Sequence, residues 1–351
     1  MHSINASNGT EEIQHFDNYK DGYKLPRNPN GWYAACLSKE LKEAEVKPLS
    51  FFGEELVAFR DAQGKAKVVG AYCPHMGAHL GHGGTVVDGK IQCPFHGWQF
   101  DGTGACAAAP FAKRTPQSAR SNLDSYITEE VNGVVLVWHH VQGKEPDYHV
   151  PEIPEMDLKQ WMPMQHFTLT FRTHVQEIRE NFCDESHFAF IHEQEGPADI
   201  TWNPEGPLAH HHSHLTWKYF VKMGLTDEKY RFTCDSVFYG PGVLVSRTRG
   251  PIDSATIGLC TPIDDEYTQF TLMGTSRKVF PGLNWFNRMS LMKTAKRDVL
   301  LEGEIWSHKK PLEKPIYQAH ERSMSKFQKW YAQFYDGHSQ QETIPLRVVN
   351  S

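Results

Sequence analysis

Two short segments constrain this chain more than anything else in it. Cys73-Pro-His75 is followed after seventeen residues by Cys93-Pro-Phe-His96. Each half offers one thiolate and one imidazole. Two Cys on one iron and two His on the other is a complete ligand set for a 2Fe–2S cluster of mixed ligation. Neutral imidazoles in place of two thiolates leave less negative charge at the cluster, which raises its potential to roughly −150 to +300 mV. Glycines surround both halves: Gly77, Gly81, Gly83 and Gly84 in the first, Gly97 in the second. Small residues let backbone N–H groups approach the sulfurs. A Cys2His2 zinc site uses the same residue types, but it normally groups two Cys and then two His. Here each half mixes the two, which favours the cluster.

The remaining cysteines, Cys36, Cys106, Cys183, Cys234 and Cys260, bring the total to seven. An odd count argues against a disulfide framework. Cys36, Cys106, Cys234 and Cys260 read as small core residues. The N-terminal segment MHSINASNGTEEIQ lacks an apolar stretch and reads as a flexible polar arm over residues 1–27. The expected compartment is the cytoplasm. The net charge of −6 without a basic block gives nucleic-acid binding no support. No apolar run approaches the roughly 18 residues of a membrane span.

Residues 31–140 read as short strands joined by turns. Pro48–Phe52 and Leu56–Arg60 flank Gly53-Glu54, Asp61 to Gly64 turns the chain into Val68–Tyr72, and Asn132-Gly133 precedes the apolar run Val134–Trp138. That pattern predicts a small all-β domain over 28–145. A proline-rich, charged connector from Gln142 to Pro163 marks the boundary. Beyond it, Arg172–Ile191 reads as helical, 214–278 alternates in the strand manner, and 284–308 and 316–335 are helical in character. Helices flanking antiparallel strands make 146–351 a catalytic domain of helix-grip type, and the whole chain α+β.

The second chemical constellation is Glu180-Asn181-Phe-Cys-Asp184-Glu-Ser-His187-Phe-Ala-Phe-Ile-His192. Two imidazoles and a carboxylate on one face of an iron leave positions open for O2. His187 and His192 are five residues apart, about 140° on an ideal helix. They can meet one metal only if the helix ends or bulges between them, so a distortion is expected near Phe188–Ile191. The run His210-His-His212-Ser-His214 reads as a solvent-exposed or substrate-gating stretch rather than a metal site, because the sequence places no carboxylate or Cys beside it. Alternation puts His212 and His214 on one face of a strand. No G-x-G-x-x-G opens a helix, so flavin or nicotinamide binding is not expected.

C-P-H followed by C-P-F-H-G-W-x-F-D-x-x-G resembles the Rieske domain of bacterial aromatic-ring and steroid oxygenases. Asn-x-x-Asp-x-x-His-x4-His resembles the mononuclear iron motif of the same Rieske non-heme iron oxygenases. The resemblance implies that Cys73, His75, Cys93 and His96 bind the cluster and that His187 and His192 bind the iron. It gives Asn181 and Asp184 catalytic roles, with Asp184 bridging His96 of a neighbouring subunit to His187. A carboxylate accepting N–H from both imidazoles would fix their tautomers. The third iron ligand matches Glu302 in Leu301-Glu302-Gly-Glu304-Ile-Trp306, where the family usually has Asp. Asp298, one turn earlier, and Glu304 remain alternatives.

The tail, Glu302 to Trp306, Lys309-Lys-Pro-Leu and Gln328 to Tyr335, is most similar to the 3-ketosteroid 9α-hydroxylase and sterol 7-desaturase branch. The implied function is a terminal monooxygenase using O2 to hydroxylate or desaturate a steroid or sterol. Electrons would come from NAD(P)H through a separate reductase, with a ferredoxin as one route, and the assembly would be a head-to-tail homotrimer. A vanillate-type O-demethylase or ring hydroxylase is the enzymatic alternative, with Arg247 or Arg249 available to clamp a carboxylate. A Rieske electron carrier with a vestigial iron site is the non-enzymatic one.

Overall fold

The computed structural model describes residues 25–26, 28–192, 194–195, 198–216, 221–225, 231–250, 253–312, 315–318, 320–335 and 348–349. The expected arm over 1–27 lies outside the described residues apart from Leu25 and Pro26.

The architecture is α+β, as the alternation predicts. The first half contains three small sheets. One joins β1 (Gly31–Leu37), β10 (Thr128–Val131) and β11 (Val134–His139). The second joins β2 (Lys47–Phe51), β3 (Glu54–Arg60), β4 (Ala66–Gly70) and β9 (Ser125–Tyr126). The third, β5 (Thr85–Val87), β6 (Lys90–Gln92), β7 (Gln99–Phe100) and β8 (Cys106–Ala108), adjoins the two Cys/His loops.

Turn chemistry explains the hairpins. Asn132 and Gly133 have φ of 53° and 75°, the two left-handed positions of a two-residue hairpin loop. The β2–β3 turn falls one residue earlier than expected, on Phe52-Gly53, with φ of 60° and 75°. A bulky residue there is strained by about 1–2 kcal/mol. Packing offsets this: the Phe52 ring stacks on His139 at 4.4 Å, and the Phe52 and Gly53 amides donate to the carbonyls of Pro262 and Ile263 at 2.9 and 2.7 Å.

The second half is built on a seven-stranded antiparallel sheet. Its order is β12 (Gln165–Phe171), β18 (Thr268–Ser276), β17 (Ser254–Pro262), β16 (Val243–Arg249), β15 (Phe232–Tyr239), β14 (Leu208–Leu215) and β13 (Asp199–Glu205). One face packs on the β1–β11 sheet. Trp32, Leu136 and Trp138 share a core with Val243, Val245, Ile257 and Leu259. Each such aliphatic side chain contributes about 1.5–3 kcal/mol on burial. The two halves of the chain are therefore joined by a continuous apolar core, with Thr261 Oγ1 donating across it to the Ala34 carbonyl at 2.9 Å.

Two helical expectations need correction. Arg172–Ile191 is not one helix. It breaks into α1 (Val175–Glu180), a 3-10 turn (Asn181–Cys183), an extended Asp184 (φ −84°, ψ 103°) and α2 (His187–Phe190). Asp184 Oδ1 accepts from the amides of Ser186 and His187 at 2.9 and 3.2 Å, so a side chain competes for backbone donors and restarts the helix. The 316–335 segment is likewise split: Tyr317–Gln318 is extended, and helix returns only at Arg322–Tyr331, ending in a 3-10 turn. The 284–308 expectation is met by α3 (Pro281–His308), which packs beside β12 and β18. Among the described residues no helix is long and apolar enough to cross a membrane.

Candidate metal centres

The two Cys/His loops have one design. The Cys73 amide donates to the Ala78 carbonyl and the Gly77 amide to the Cys73 carbonyl, at 2.9 and 2.8 Å. The Cys93 amide donates to the Trp98 carbonyl and the Gly97 amide to the Cys93 carbonyl, at 2.8 and 3.1 Å. Gly77 and Gly97, each four residues after the cysteine, have φ of 73° and 69°, where a side chain is strained. The histidine stands two residues after Cys73 but three after Cys93. Both thiols are buried at 2%, whereas His75 is exposed and His96 partly so. The imidazole rings lie 4.7 Å apart, and His75 stacks flat on Trp98 at 4.8 Å, a contact the sequence alone did not suggest.

Burial pushes the Cys73 thiol up to about 11, against the pull of the His75 and Met76 amides that point at it. These donors and this paired loop geometry fit a Rieske cluster, with sulfur ligands inside and imidazoles at the surface.

The second centre forms where the broken helix faces α3. Helix α2 stops at Phe190, which is the interruption the five-residue spacing requires, and the His187 and His192 rings come to 5.1 Å. Glu302 is buried on α3. Its Oε1 lies 2.7 Å from His192 Nε2 and 3.6 Å from His187 Nε2. One ligand atom from each of the three lies within 4.8 Å of the others. Asn181 Nδ2 donates to the same Oε1 at 2.8 Å and sits 3.3 Å from His187 Nε2, so it holds the carboxylate in place.

Burial alone would raise the Glu302 carboxyl. The imidazoles of His187 and His192 beside it outweigh that and hold it below the usual range. Burial would depress His192, but Asp298 and Glu302 push it up to about 9. The buried carboxylate and the two imidazoles thus converge as a set of donors for a cation. Two imidazoles and one carboxylate with an open side fit a non-heme iron.

The other acids separate clearly. Asp298 Oδ2 lies 3.7 Å from His192 Nδ1, on the far edge of the ring, and also binds Arg297. Glu304 is 81% exposed and faces His308. Asp184 departs from expectation. Its carboxylate caps the α2 amides, and its main-chain carbonyl, not its side chain, takes the His187 Nδ1–H at 2.7 Å. That bond leaves His187 Nε2 facing the pocket. Asp184 lines a separate cavity of 340 Å3 together with Glu177, Glu180 and Lys309.

Above the His187, His192 and Glu302 group opens a cavity of 570 Å3. Ile178, Phe188, Leu215, Phe270, Leu272 and Trp306 give it an apolar wall, and Ser246, Thr248 and Thr256 add a short polar strip. Gln194, which sequence reasoning missed, is 3% exposed and lines it, with a side-chain oxygen that has no hydrogen-bond partner among the described residues.

Two metal centres of these kinds in one α+β chain define a Rieske non-heme iron oxygenase. The comparisons agree: residues 31–126 match the Rieske [2Fe-2S] domain, and residues 137–335 match the 3-ketosteroid 9alpha-hydroxylase C-terminal domain, the family to which the chain belongs. The chain is 32% identical over 340 residues to the oxygenase component of 3-ketosteroid-9-alpha-monooxygenase from Rhodococcus rhodochrous, covering 92% of this chain and 87% of that one. It is 30% identical to the cholesterol 7-desaturase of Xenopus laevis, covering 91% and 74%. The fold is shared with dicamba monooxygenase bound to dicamba (TM-score 0.66, 16% identity, 87% and 97% covered). It is also shared with NdmA of Pseudomonas putida CBB5 with caffeine (TM-score 0.69, 16% identity, 86% and 89% covered). The protein is accordingly an oxidoreductase, the oxygenase component of a monooxygenase system. It uses a Rieske cluster, a mononuclear iron and electrons from a reductase.

Proposed function

We propose that the protein hydroxylates or desaturates a steroid or sterol, with His187, His192 and Glu302 as iron ligands and Cys73, His75, Cys93 and His96 as cluster ligands. The observation that carries this reading is the convergence of Glu302 on both histidines, 2.7 Å from His192, at the base of a largely apolar 570 Å3 cavity. Pockets of about 300–1,000 Å3 suit small organic ligands, and an apolar wall with few polar groups suits a fused-ring hydrocarbon.

When bound, the iron supplies O2 activation and the cluster supplies electrons one at a time. The chain does the rest. Asn181 and the Asp184 carbonyl fix Glu302 and His187 before substrate arrives, so little reorganisation remains. Phe188, Leu215 and Trp306 keep water from the reacting C–H bond, and the Ser246, Thr248 and Thr256 hydroxyls orient a polar ring substituent. Hydroxylation consumes R–H, O2, two electrons and two protons to give R–OH and water. Desaturation with the same inputs gives an alkene and two waters.

Head-to-tail assembly into a homotrimer in the cytoplasm, fed from NAD(P)H by the reductase, completes the reading. Asp184 would accept from His96 of a neighbouring copy through its partly exposed carboxylate, while its main-chain carbonyl holds His187. The O-demethylase alternative loses the two clamps expected for it. Arg247 is held by the buried Glu155 through two bonds of 2.6 and 3.1 Å, and neither it nor Arg249 lines the cavity; the arginine that does, Arg297, is paired with Asp298 at 2.7 Å.

The test is a single-turnover assay: reduced protein is mixed with O2 and a 3-ketosteroid, a sterol or a methoxybenzoate, and product mass is read. Gain of one oxygen on a steroid supports hydroxylation, and loss of two hydrogens supports desaturation. Turnover of the benzoate alone overturns the substrate assignment.

A further inference from the structure

The histidine run on β14 has more around it than its sequence suggests. Asp235, on the adjacent strand, stands opposite His212 in the register, and its Oδ1 lies 2.6 Å from His212 Nδ1. The sequence reading that no carboxylate lies near is therefore wrong, because a cross-strand partner 23 residues away is set by register. His212 and His214 share the face of β14 opposite Ser213, and their Nε2 atoms lie 3.2 Å apart. His214 is exposed and His212 is 40% exposed.

We propose that His212 and His214 form a second metal site, a bidentate chelate for a late divalent transition ion such as Zn2+. Imidazole nitrogens bind zinc at about 2.0–2.1 Å, so two of them at a tetrahedral angle stand about 3.3 Å apart. The observed 3.2 Å matches that separation without movement. Asp235 supplies what metal-binding histidines need behind them. A carboxylate on Nδ1 holds that proton there and turns the Nε2 lone pair outward. Asp199 stands opposite His214 on the same solvent face and adds negative charge, and water fills the remaining positions. A hard ion such as Mg2+, which prefers oxygen ligands, should not bind. The site is separate from His187, His192 and Glu302 and involves no residue of the catalytic machinery.

The iron-loaded holoenzyme would be titrated calorimetrically with Zn2+ and, in parallel, Mg2+, with iron content measured before and after. The expected result is one zinc site per chain that releases no iron and that Mg2+ does not fill. In His214→Ala and in His212→Ala it should weaken at least tenfold. In Asp235→Asn it should persist but weaken about 10–100-fold. All three positions are at the surface, so unchanged melting curves are expected. Coincident zinc isotherms for the wild type and His214→Ala would overturn the proposal, as would zinc uptake matched by iron release.

Discussion

Replacing Gly303 by alanine adds one methyl group beside the iron pocket. The added Cβ would lie 2.0 Å from Cε1 of Phe171 and 2.6 Å from its Cδ1. Ordinary carbon contacts are about 3.5–4.0 Å, so helix α3 and β12 would have to separate by about 1.5 Å. Overpacking of this kind costs roughly 1–3 kcal/mol. Alanine returns about 1 kcal/mol of helix propensity, leaving a net loss of about 0–2 kcal/mol. The functional effect should be larger than the stability effect, because Glu302 is the neighbouring residue on the same helix. A displacement near 1 Å costs about 100-fold in rate. The assay is iron content per chain, turnover, and the visible spectrum of the cluster. Iron and turnover should fall while the cluster spectrum stays unchanged, and Phe171→Leu in the same chain should restore part of both. Full iron occupancy and wild-type turnover in Gly303→Ala would refute the claim that close approach at this glycine sets the carboxylate.

Three other outcomes are expected. Asp184→Asn should keep the α2 cap, since Asn also accepts from backbone amides, yet slow electron transfer to the iron at least tenfold; an unchanged single-turnover rate would remove the bridging role. His75→Ala should abolish the Rieske cluster, and a reduced-state EPR spectrum like that of the wild type would show that it is not a ligand. His174 is half-buried at the start of α1, with Nε2 on the Pro26 carbonyl, and desolvation of its ring pushes it down to about 4. Between pH 6.5 and 4 the unfolded chain binds the extra proton, so this contribution, about 3 kcal/mol, is complete above pH 6.5 and lost as pH falls toward 4. Urea unfolding from pH 7.5 to 4.5 should show it, and His174→Asn, which retains a capping acceptor, should flatten the slope by about one proton.

What could be read from the sequence was local. The Cys73 and Cys93 loops, the Asn132-Gly133 turn and the need for a break between His187 and His192 all follow from spacing within a few residues. The helix around Asp184 was misjudged because its apolar pattern is helical while its side chain takes the backbone donors, a competition that composition does not reveal. Long-range matches were out of reach. The Arg179 guanidinium, fully buried, bonds the carbonyls of Pro241, Gly242 and Gly258 on the sheet, and nothing near Arg179 in the chain announces them. The Phe52 turn seated on Pro262, and Phe171 against Gly303, are of the same kind.

The core shared by Trp32, Trp138, Val245 and Ile257 bears on how the molecule can be cut and recombined. Severing it between residues 126 and 146 would leave each fragment with half of an apolar interface facing water, and both pieces should aggregate. A cut on the other side of β1 and β11 fares no better, because Tyr33, Ala35, Val135 and Val137 pack their opposite face on Phe51, Leu56, Ala58 and Val68 in a second buried core. In terms of exchangeable parts, β1 and β11 are a rivet through both halves, and the unit that travels is the whole chain.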